Sequence, residues 1–163
     1  MTISEKLLIK ACDIQLLVYD FDGVMTDSRV FVLPDGKEAV VCNRNDGLAV
    51  SIIRAKGIPQ LILSTESNGI IHTRARKIGL PVMSSVKDKK KCLIELCQKN
   101  RVEPSKVVYV GNEVNDLEAM KFVGWPVCPQ DAHWRVKKIA KNVLSKKGGE
   151  GVIRELADLL FDD

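Results

Sequence analysis

A short apolar run that ends in two carboxylates places the strongest constraint on how this chain can fold. Residues 16–19 read Leu-Leu-Val-Tyr, as expected of a buried strand, and Asp20, Phe21, Asp22 and Gly23 follow directly. Residues two apart in a strand face the same side, and open parallel sheets bind ligands at the carboxyl ends of their strands. We therefore expect the two carboxylates side by side at that edge, where a divalent cation such as Mg²⁺ would offset their repulsion.

The same Asp-x-Asp-Gly pattern occurs in calcium-binding loops and in ordinary turns. An EF-hand loop requires a preceding helix and a glutamate at its twelfth position, and the twelfth residue counted from Asp20 is Phe31. A calcium loop is therefore excluded, whereas an ordinary turn stays open on this pattern alone.

Length and composition indicate one domain with its own hydrophobic core. The chain has 163 residues, 45% of them hydrophobic, and we expect a single domain over residues 1–163. No apolar run approaches the roughly 20 residues of a membrane helix, and the first residues lack the order of a signal peptide, so we expect a cytoplasmic location. The five cysteines form no C-x-x-C pair, which favours free thiols.

The charge pattern argues against nucleic acid as a partner. The net charge of +4 comes largely from local lysine clusters, and aromatic residues make up only 5% of the chain. Surfaces that bind nucleic acid usually combine a basic stripe with stacking aromatic residues. We expect neither a nucleic-acid nor a membrane partner, and a small anionic substrate fits the composition better.

Strand and helix patterns alternate along the chain. Two β-prone runs around the Pro-Asp-Gly turn at 34–36 predict a hairpin over about residues 30–42. Further strands are expected at 59–63, 81–83, 107–110, 125–128 and 142–144, and further helices at 70–78, 89–99, 115–123, 133–140 and 151–160. The alternation predicts a doubly wound α/β fold with a parallel sheet covered on both faces.

One helix of this series follows the hairpin directly. Asn45 is its expected N-cap, and Gly57 lies just past its expected end. The apolar stripe of this helix would consist of Leu48, Ala49, Ile52 and Ile53.

Four further polar elements fall at strand ends in this scheme. Ser64, Thr65 and Glu66 follow one strand, Lys89 begins a helix, Gly111 to Asp116 follow another strand, and the glycine-rich residues 148–151 suggest a mobile loop. Each has a structural alternative: Ser64 and Thr65 as helix caps, Lys89 as part of a solvated lysine run, Asn115 and Asp116 as a cap pair. Their common position at strand ends favours a functional site.

The order of these motifs resembles the haloacid dehalogenase superfamily of phosphatases. The segment from Asp20 to Asp27, then Ser64, then Lys89, then the segment from Gly111 to Asp116 matches its four motifs in sequence. The hairpin and the Gly148-Gly149-Glu150-Gly151 tail are similar to the capless sugar-acid phosphatases of octulosonate 8-phosphate and nonulosonate 9-phosphate. The sequences at residues 64–66 (Ser-Thr-Glu) and 111–113 (Gly-Asn-Glu) also resemble the phosphatase-like C-terminal domain of sialic acid cytidylyltransferases.

The resemblance implies a HAD-like Rossmannoid fold without a cap domain, and specific roles for the motif residues. Asp20 would be the nucleophile, and Asp22 would protonate the leaving oxygen and later activate water. Mg²⁺ would be held by the Asp20 side chain, the Asp22 backbone carbonyl and the Asn112 side chain. Ser64 would bind a phosphoryl oxygen, and Lys89 would neutralise charge on Asp20 and the phosphate.

One position departs from the pattern of active members, which commonly carry Asp where this chain has Asn112. An amide oxygen ligates Mg²⁺ without adding charge, so we expect weaker metal binding. Glu113 and Asp116 would form the surroundings of the metal and compensate in part, Asp116 by orienting a bound water or Lys89.

The resemblance further implies a homotetramer, since relatives without a cap close their open site with a neighbouring chain. The hairpin would help assemble the oligomer, and the tail over 148–163, through Gly148 and Arg154, would cover a neighbour's site. Besides Ser64, the residues expected to contact substrate are Thr65, Glu66 and Arg74, with Arg74 pairing with a sugar-acid carboxylate. An exposed helix arginine remains the alternative for Arg74.

Two other functions stay open from the sequence. Asn112 permits a non-catalytic module that oligomerises or regulates a CMP-sugar-acid synthetase. A phosphoacceptor receiver domain also carries a strand-end Asp and a later Lys, but residues 63–65 read Leu-Ser-Thr and supply no second strand-end Asp. The preferred function is hydrolysis of a 2-keto-3-deoxy sugar acid phosphate.

Overall fold

The central sheet forms because short apolar runs are buried on both faces by amphipathic helices. The computed structural model describes residues 9–161, so the outer ends of the expected 1–163 domain and 148–163 tail lie outside the described residues. The strands are β1 (Leu16–Tyr19), β2 (Phe31–Val32), β3 (Glu38–Ala39), β4 (Gln60–Leu63), β5 (Val82–Met83), β6 (Val107–Val110), β7 (Trp125–Cys128) and β8 (Asn142–Val143). The helices are α1 (Arg44–Ala55), α2 (Gly69–Ile78), α3 (Lys89–Asn100), α4 (Leu117–Phe122), α5 (Trp134–Ile139) and α6 (Val152–Phe161).

Six strands form one parallel sheet in the order β5-β4-β1-β6-β7-β8, and β2 and β3 form the separate antiparallel hairpin. Alternate residues of β1 enter two cores: Leu17 and Tyr19 pack with α1, α2 and α6, whereas Leu16 and Val18 pack with α3, α4 and α5. The doubly wound fold with a hairpin insertion is therefore confirmed. The order places β1 between β4 and β6, so the polar residues that follow these three strands meet at one edge.

The predictions for α1 were wrong at its start and in part on its apolar face, where Ala49 and Ile53 are buried as expected but Leu48 is not. Asn43, not Asn45, is the N-cap, because the Asn43 side chain accepts a hydrogen bond from the Asn45 backbone N–H at 2.9 Å. Leu48 is 54% exposed. The face turned toward the core carries Asp46, Ala49, Val50 and Ile53.

The remaining helices begin and end within two residues of their expected bounds. A 3-10 turn over Val114–Asp116 precedes α4, which accounts for its later start. The five cysteines are free thiols. Within residues 9–161, no helix combines the length and apolar character that crossing a membrane requires.

Candidate active site

The ends of β1, β4 and β6 surround a pocket of about 160 Å³. Most of its lining was expected from the sequence: Asp20, Asp22, Ser64, Thr65, Glu66, Asn112 and Glu113, joined by Ser28 and Asn115. The pocket has room for a phosphoryl group and little more. Any larger part of a ligand would extend over the exposed side chains of Thr65 and Glu66.

Asp20 lies at the floor of this pocket and is only 4% exposed. Its Oδ1 atom accepts hydrogen bonds from the Phe21 backbone N–H at 2.8 Å and from Lys89 Nζ at 2.9 Å. Burial and then the charge of Asp116 raise the pKa of Asp20, and Lys89 acts in the opposite direction. A bound cation would further favour the ionised form that a nucleophile needs.

Lys89 is the first residue of α3, and its side chain is buried between two carboxylates. Its Nζ atom lies 2.9 Å from Asp20 Oδ1 and 2.7 Å from Asp116 Oδ1. Burial alone would lower the pKa of Lys89, but the two carboxylates outweigh burial and raise it. Lys89 is thus a fixed cation inside the site, whereas the side chain of the next residue, Lys90, is 44% exposed.

Asp116 is buried next to the pocket, and both of its carboxylate oxygens accept hydrogen bonds. Its Oδ1 accepts from Lys89 and from the Tyr109 hydroxyl at 2.8 Å, and its Oδ2 accepts from the backbone N–H groups of Asn112 at 2.9 Å and Glu113 at 3.1 Å. Asp116 therefore positions Lys89 and the loop that carries Asn112. The role of Tyr109 was missed, since it lies in an apolar strand where only its hydroxyl signals a polar contact.

Asn112 offers the atom that best fits a metal ligand. Its Oδ1 is buried and has no hydrogen-bond partner among the described residues. The Asn112 amide also packs directly on Gly23: a side chain at position 23, where φ is +83°, would collide with it. The oxygens of Asp20, Asp22 and Asn112 make a hard donor set suited to Mg²⁺. Within residues 9–161, no group of three His, Cys, Asp or Glu side chains is arranged to hold a metal.

Asp22 differs from Asp20 because it is only half-buried and lies nearer the mouth of the pocket. Burial and then the charge of Glu66 raise the pKa of Asp22, while Lys89 and a hydrogen bond from Thr26 lower it. The net shift is upward, which favours a carboxyl group that can hold and release a proton. Thr26 was not assigned a role from the sequence, although its fully buried hydroxyl also accepts from the backbone N–H groups of Gly23 and Ser28.

Ser64 directly follows β4 and is 1% exposed. Its hydroxyl accepts the Glu66 backbone N–H at 3.1 Å, and its own N–H donates to the Met83 carbonyl at 2.9 Å. These bonds fix the loop in which Thr65 and Glu66 form the rim of the pocket. Ser28, with a φ of 62°, also lines the pocket and was missed because it follows the recognisable motif.

Arg74 does not line this pocket. Its Nη2 atom donates to the Asn43 carbonyl at 2.7 Å, because this face of α2 is turned toward α1 and away from the strand ends. There Arg74 lines a second pocket of about 720 Å³ together with four other cationic residues. They are Arg44, Arg54, Arg76 and Lys77.

Gly148 and Arg154 also lie away from the pocket, and the glycine-rich segment is held on its own chain. The Gly148 N–H donates to Asp131 Oδ1 at 2.9 Å, and the Gly149 N–H donates to the Val24 carbonyl at 3.0 Å. Arg154 pairs with Asp158 at 2.7 Å. These contacts hold the glycines on their own chain, behind the turn that carries Asp22, so they do not form the mobile loop that the sequence suggested. Cover of a neighbouring site by residues 148–163 stays a prediction.

Comparison with known proteins gives a consistent set of relatives. A model of the haloacid dehalogenase-like hydrolases matches residues 48–156. A 3-deoxy-D-manno-octulosonate 8-phosphate phosphatase of Yersinia pestis is 29% identical over 160 residues, covering 98% of this chain and 86% of that protein. A solved protein of Streptomyces avermitilis described as a HAD family hydrolase has a TM-score of 0.92 and 43% identity, covering 94% of this chain and 88% of that chain.

A further solved structure carries ligands. The 3-deoxy-D-manno-octulosonate 8-phosphate phosphatase of Moraxella catarrhalis was solved with magnesium, phosphate and a KDO molecule. It has a TM-score of 0.88 and 26% identity to this chain, covering 92% of this chain and 87% of that chain.

Proposed function

Since the chain belongs to the haloacid dehalogenase-like hydrolases and is a phosphatase, we propose that it hydrolyses the phosphomonoester of a 2-keto-3-deoxy sugar acid. The substrate would be an octulosonate 8-phosphate or a nonulosonate 9-phosphate. The observation that carries this proposal is the buried contact between Asp20 and Lys89 beside Asp22, at the floor of a pocket of phosphoryl size. The similarity to octulosonate 8-phosphate phosphatases over 98% of the chain supports the substrate class.

The reaction would use the two carboxylates in succession. An Asp20 oxygen attacks phosphorus, the bond to the sugar oxygen breaks, and that oxygen takes the proton held by Asp22. In the second step Asp22 accepts a proton from water, which attacks phosphorus and releases Asp20 and inorganic phosphate. Lys89 holds the Asp20 carboxylate in place and offsets negative charge on the phosphoryl group, while Ser64 and the backbone at Thr65 bind its oxygens.

We propose Mg²⁺ as the cofactor, because the donor oxygens fit it and Asn112 Oδ1 is buried without a partner. The Asp20 side chain, the Asp22 backbone carbonyl and the Asn112 side chain would hold the ion, with Glu113 and Asp116 around them. When bound, the ion would neutralise charge on the phosphoryl group and orient it toward Asp20.

We also propose assembly into a homotetramer through the hairpin. Its apolar side chains are unusually exposed, with Phe31 at 65% and Val32 at 67%. Residues of β3 and Arg74 line one continuous groove, so a partner docked on the hairpin would lie beside Arg74. In that arrangement Arg74 would meet the carboxylate of a substrate bound in a neighbouring chain.

The test is phosphate release from a panel of sugar-acid phosphates, including 8-phospho-octulosonate and 9-phospho-nonulosonates, with Mg²⁺ or with EDTA. Selective, metal-dependent release that Asp20→Asn abolishes would support the proposal. Release no greater than that of Asp20→Asn would overturn it and favour a non-catalytic module of a CMP-sugar-acid synthetase. Sedimentation of the parent and of Phe31→Glu tests assembly, since a buried glutamate would dissociate the tetramer and lower turnover of the sugar-acid phosphate.

A further inference from the structure

The turn that carries Asp22 is held both by its own hydrogen bonds and by contacts with a segment far away in sequence. The Phe21 carbonyl accepts from the backbone N–H groups of Val24, Met25 and Thr26 at 2.9 to 3.3 Å. The Gly23 and Val24 carbonyls take no part in those bonds and meet the glycine-rich segment. The shape of residues 20–28, the catalytic turn, therefore depends in part on the segment that lies behind it.

Residues 145–151, which we call the brace, fill that space. The Gly149 N–H donates to the Val24 carbonyl at 3.0 Å. A side chain at Gly148 would collide with the Gly23 carbonyl, and one at Gly149, where φ is +75°, would come within 2.8 Å of the Asp27 nitrogen. The two adjacent glycines thus allow backbone to pack directly on backbone.

Carboxylates outside the pocket hold both ends of the brace. Glu155 accepts the N–H groups of Ser145 at 2.7 Å and Lys146 at 2.8 Å. Asp46 accepts the N–H groups of Ile153 at 2.9 Å and Arg154 at 3.1 Å, just beyond the brace. These bonds fix the path of the chain but do not reach the glycines that touch the catalytic turn.

Asp131 holds the brace at the point of contact. Its Oδ1 accepts the Gly148 N–H at 2.9 Å, and the neighbouring Gln130 N–H donates to the Lys146 carbonyl at 2.9 Å. Two residues further on, the His133 N–H donates to the Asn112 carbonyl at 2.8 Å. Residues 130–133 therefore bridge the loop that carries Asn112 and the brace behind the turn that carries Asp22.

We propose that Asp131 is a positioning residue for phosphoryl transfer. Its bond to Gly148 holds the brace against the catalytic turn and so fixes Asp22 relative to Asn112. Asp131 is exposed and lies outside both cores, so its removal leaves the packed interior intact. Small displacements of catalytic groups lower the rate of chemistry more than they weaken ligand binding.

The first arm measures kcat and KM of the full chain with p-nitrophenyl phosphate and Mg²⁺. Asp131→Ala should lower kcat about tenfold and change KM less than about threefold, and Asp131→Asn, which keeps the acceptor oxygen, should restore most of kcat. Gly148→Ala should lower kcat by about a hundredfold. Its control is Gly69→Ala, a glycine with open space around it and an ordinary φ, which should match the parent.

The second arm measures hydrogen exchange without substrate, so that it reports on the brace even if the parent were inactive. Exchange of residues 21–27 should rise in Asp131→Ala and Gly148→Ala but stay at the parent level in Gly69→Ala and Asp131→Asn. Unchanged exchange at 21–27, or a rise spread evenly over the central strands, would overturn the proposal. An active parent whose kcat is not changed by Asp131→Ala would also overturn it. The inference rests on the proposed roles of Asp20 and Asp22, and an inactive parent with the expected exchange pattern would overturn those roles alone.

Discussion

Lys89 Nζ lies 2.7 Å from Asp116 Oδ1 in a contact from which water is excluded, with side-chain exposures of 1% and 0%. The same Nζ atom reaches Asp20, so one cation balances two buried carboxylates. Removing one partner of such a cluster leaves an uncompensated charge in the interior. The contact therefore links the stability of the domain to the geometry of its nucleophile.

Lys89→Met keeps the length of the side chain and removes its charge. We expect the free energy of unfolding to fall by about 3 kcal/mol and turnover to fall by at least about a hundredfold, because Asp20 and Asp116 lose their counter-charge. Urea unfolding and phosphatase assays measure the two effects. Lys90→Met is the matched control, and parent-like stability of Lys89→Met would contradict the expectation.

Asn112→Asp should tighten Mg²⁺ binding, by about tenfold, because a second charged ligand is added to the site. The same change should destabilise the metal-free protein, since it places a third carboxylate near Asp20 and Asp116. Calorimetric titration with Mg²⁺ and thermal unfolding with and without the ion provide the measurements. Metal affinity equal to or below that of the parent would argue against Asn112 as a ligand.

Asp22→Asn should leave the first step measurable with a good leaving group and slow the second. With p-nitrophenyl phosphate we expect a burst of p-nitrophenol followed by turnover about a hundredfold slower than the parent, because no group removes the proton from water. Rapid-mixing kinetics would show the burst. Asp27→Asn is the control: Asp27 lies in the same turn but pairs with the exposed Arg29, so this variant should behave like the parent. Steady turnover without a burst in Asp22→Asn would contradict the role assigned to Asp22.

Asp46 should make stability depend on pH. Burial raises the pKa of Asp46 to about 6, although the N–H groups of Arg154 and Ile153 lower it. Between the usual pKa of 3.8 and about 6 the folded state binds the extra proton, so the Asp46 contribution to stability falls as pH rises through that window. Asp46→Asn should therefore gain stability relative to the parent, on the order of 2 kcal/mol above pH 6 and little near pH 4.

Urea unfolding of the parent and of Asp46→Asn at pH 4.5 and pH 7.5 measures this difference. Asp158→Asn, a surface carboxylate of α6 paired with Arg154, is the matched control. A stability difference that is the same at both pH values would refute the expected titration of Asp46.

Much of the predicted secondary structure followed from local sequence patterns. Residues 16–19 predicted β1, and the acids after it were predicted at the sheet edge, because a strand and the turn after it are set by neighbouring residues. The cap of α1 was misplaced because Asn43 and Asn45 are both good caps, and the choice depends on where the helix meets the sheet. Leu48 was wrongly assigned to the core, because the face of α1 that becomes buried also depends on where the helix meets the sheet.

Other features arise between residues far apart in sequence. Arg74 has the chemistry to bind a carboxylate, but the direction of α2 turns it toward Asn43. The glycines at 148 and 149 suggested a mobile loop, yet bonds to Asp131 and Val24 hold them behind the catalytic turn. No local signal distinguishes a glycine that allows motion from one that allows close packing.

By itself the sequence determined the alternation of strands and helices, the parallel sheet, and the identity of the residues at its carboxyl edge, because periodicity and motif order are local properties of the chain. The tertiary structure alone decided that Asp116 and Tyr109 support Lys89, that Asn112 Oδ1 is buried without a partner, and that Asp131 reaches the glycine-rich brace. Those relationships depend on how separate loops pack at one edge of the sheet, and burial and hydrogen bonding between distant segments set that packing.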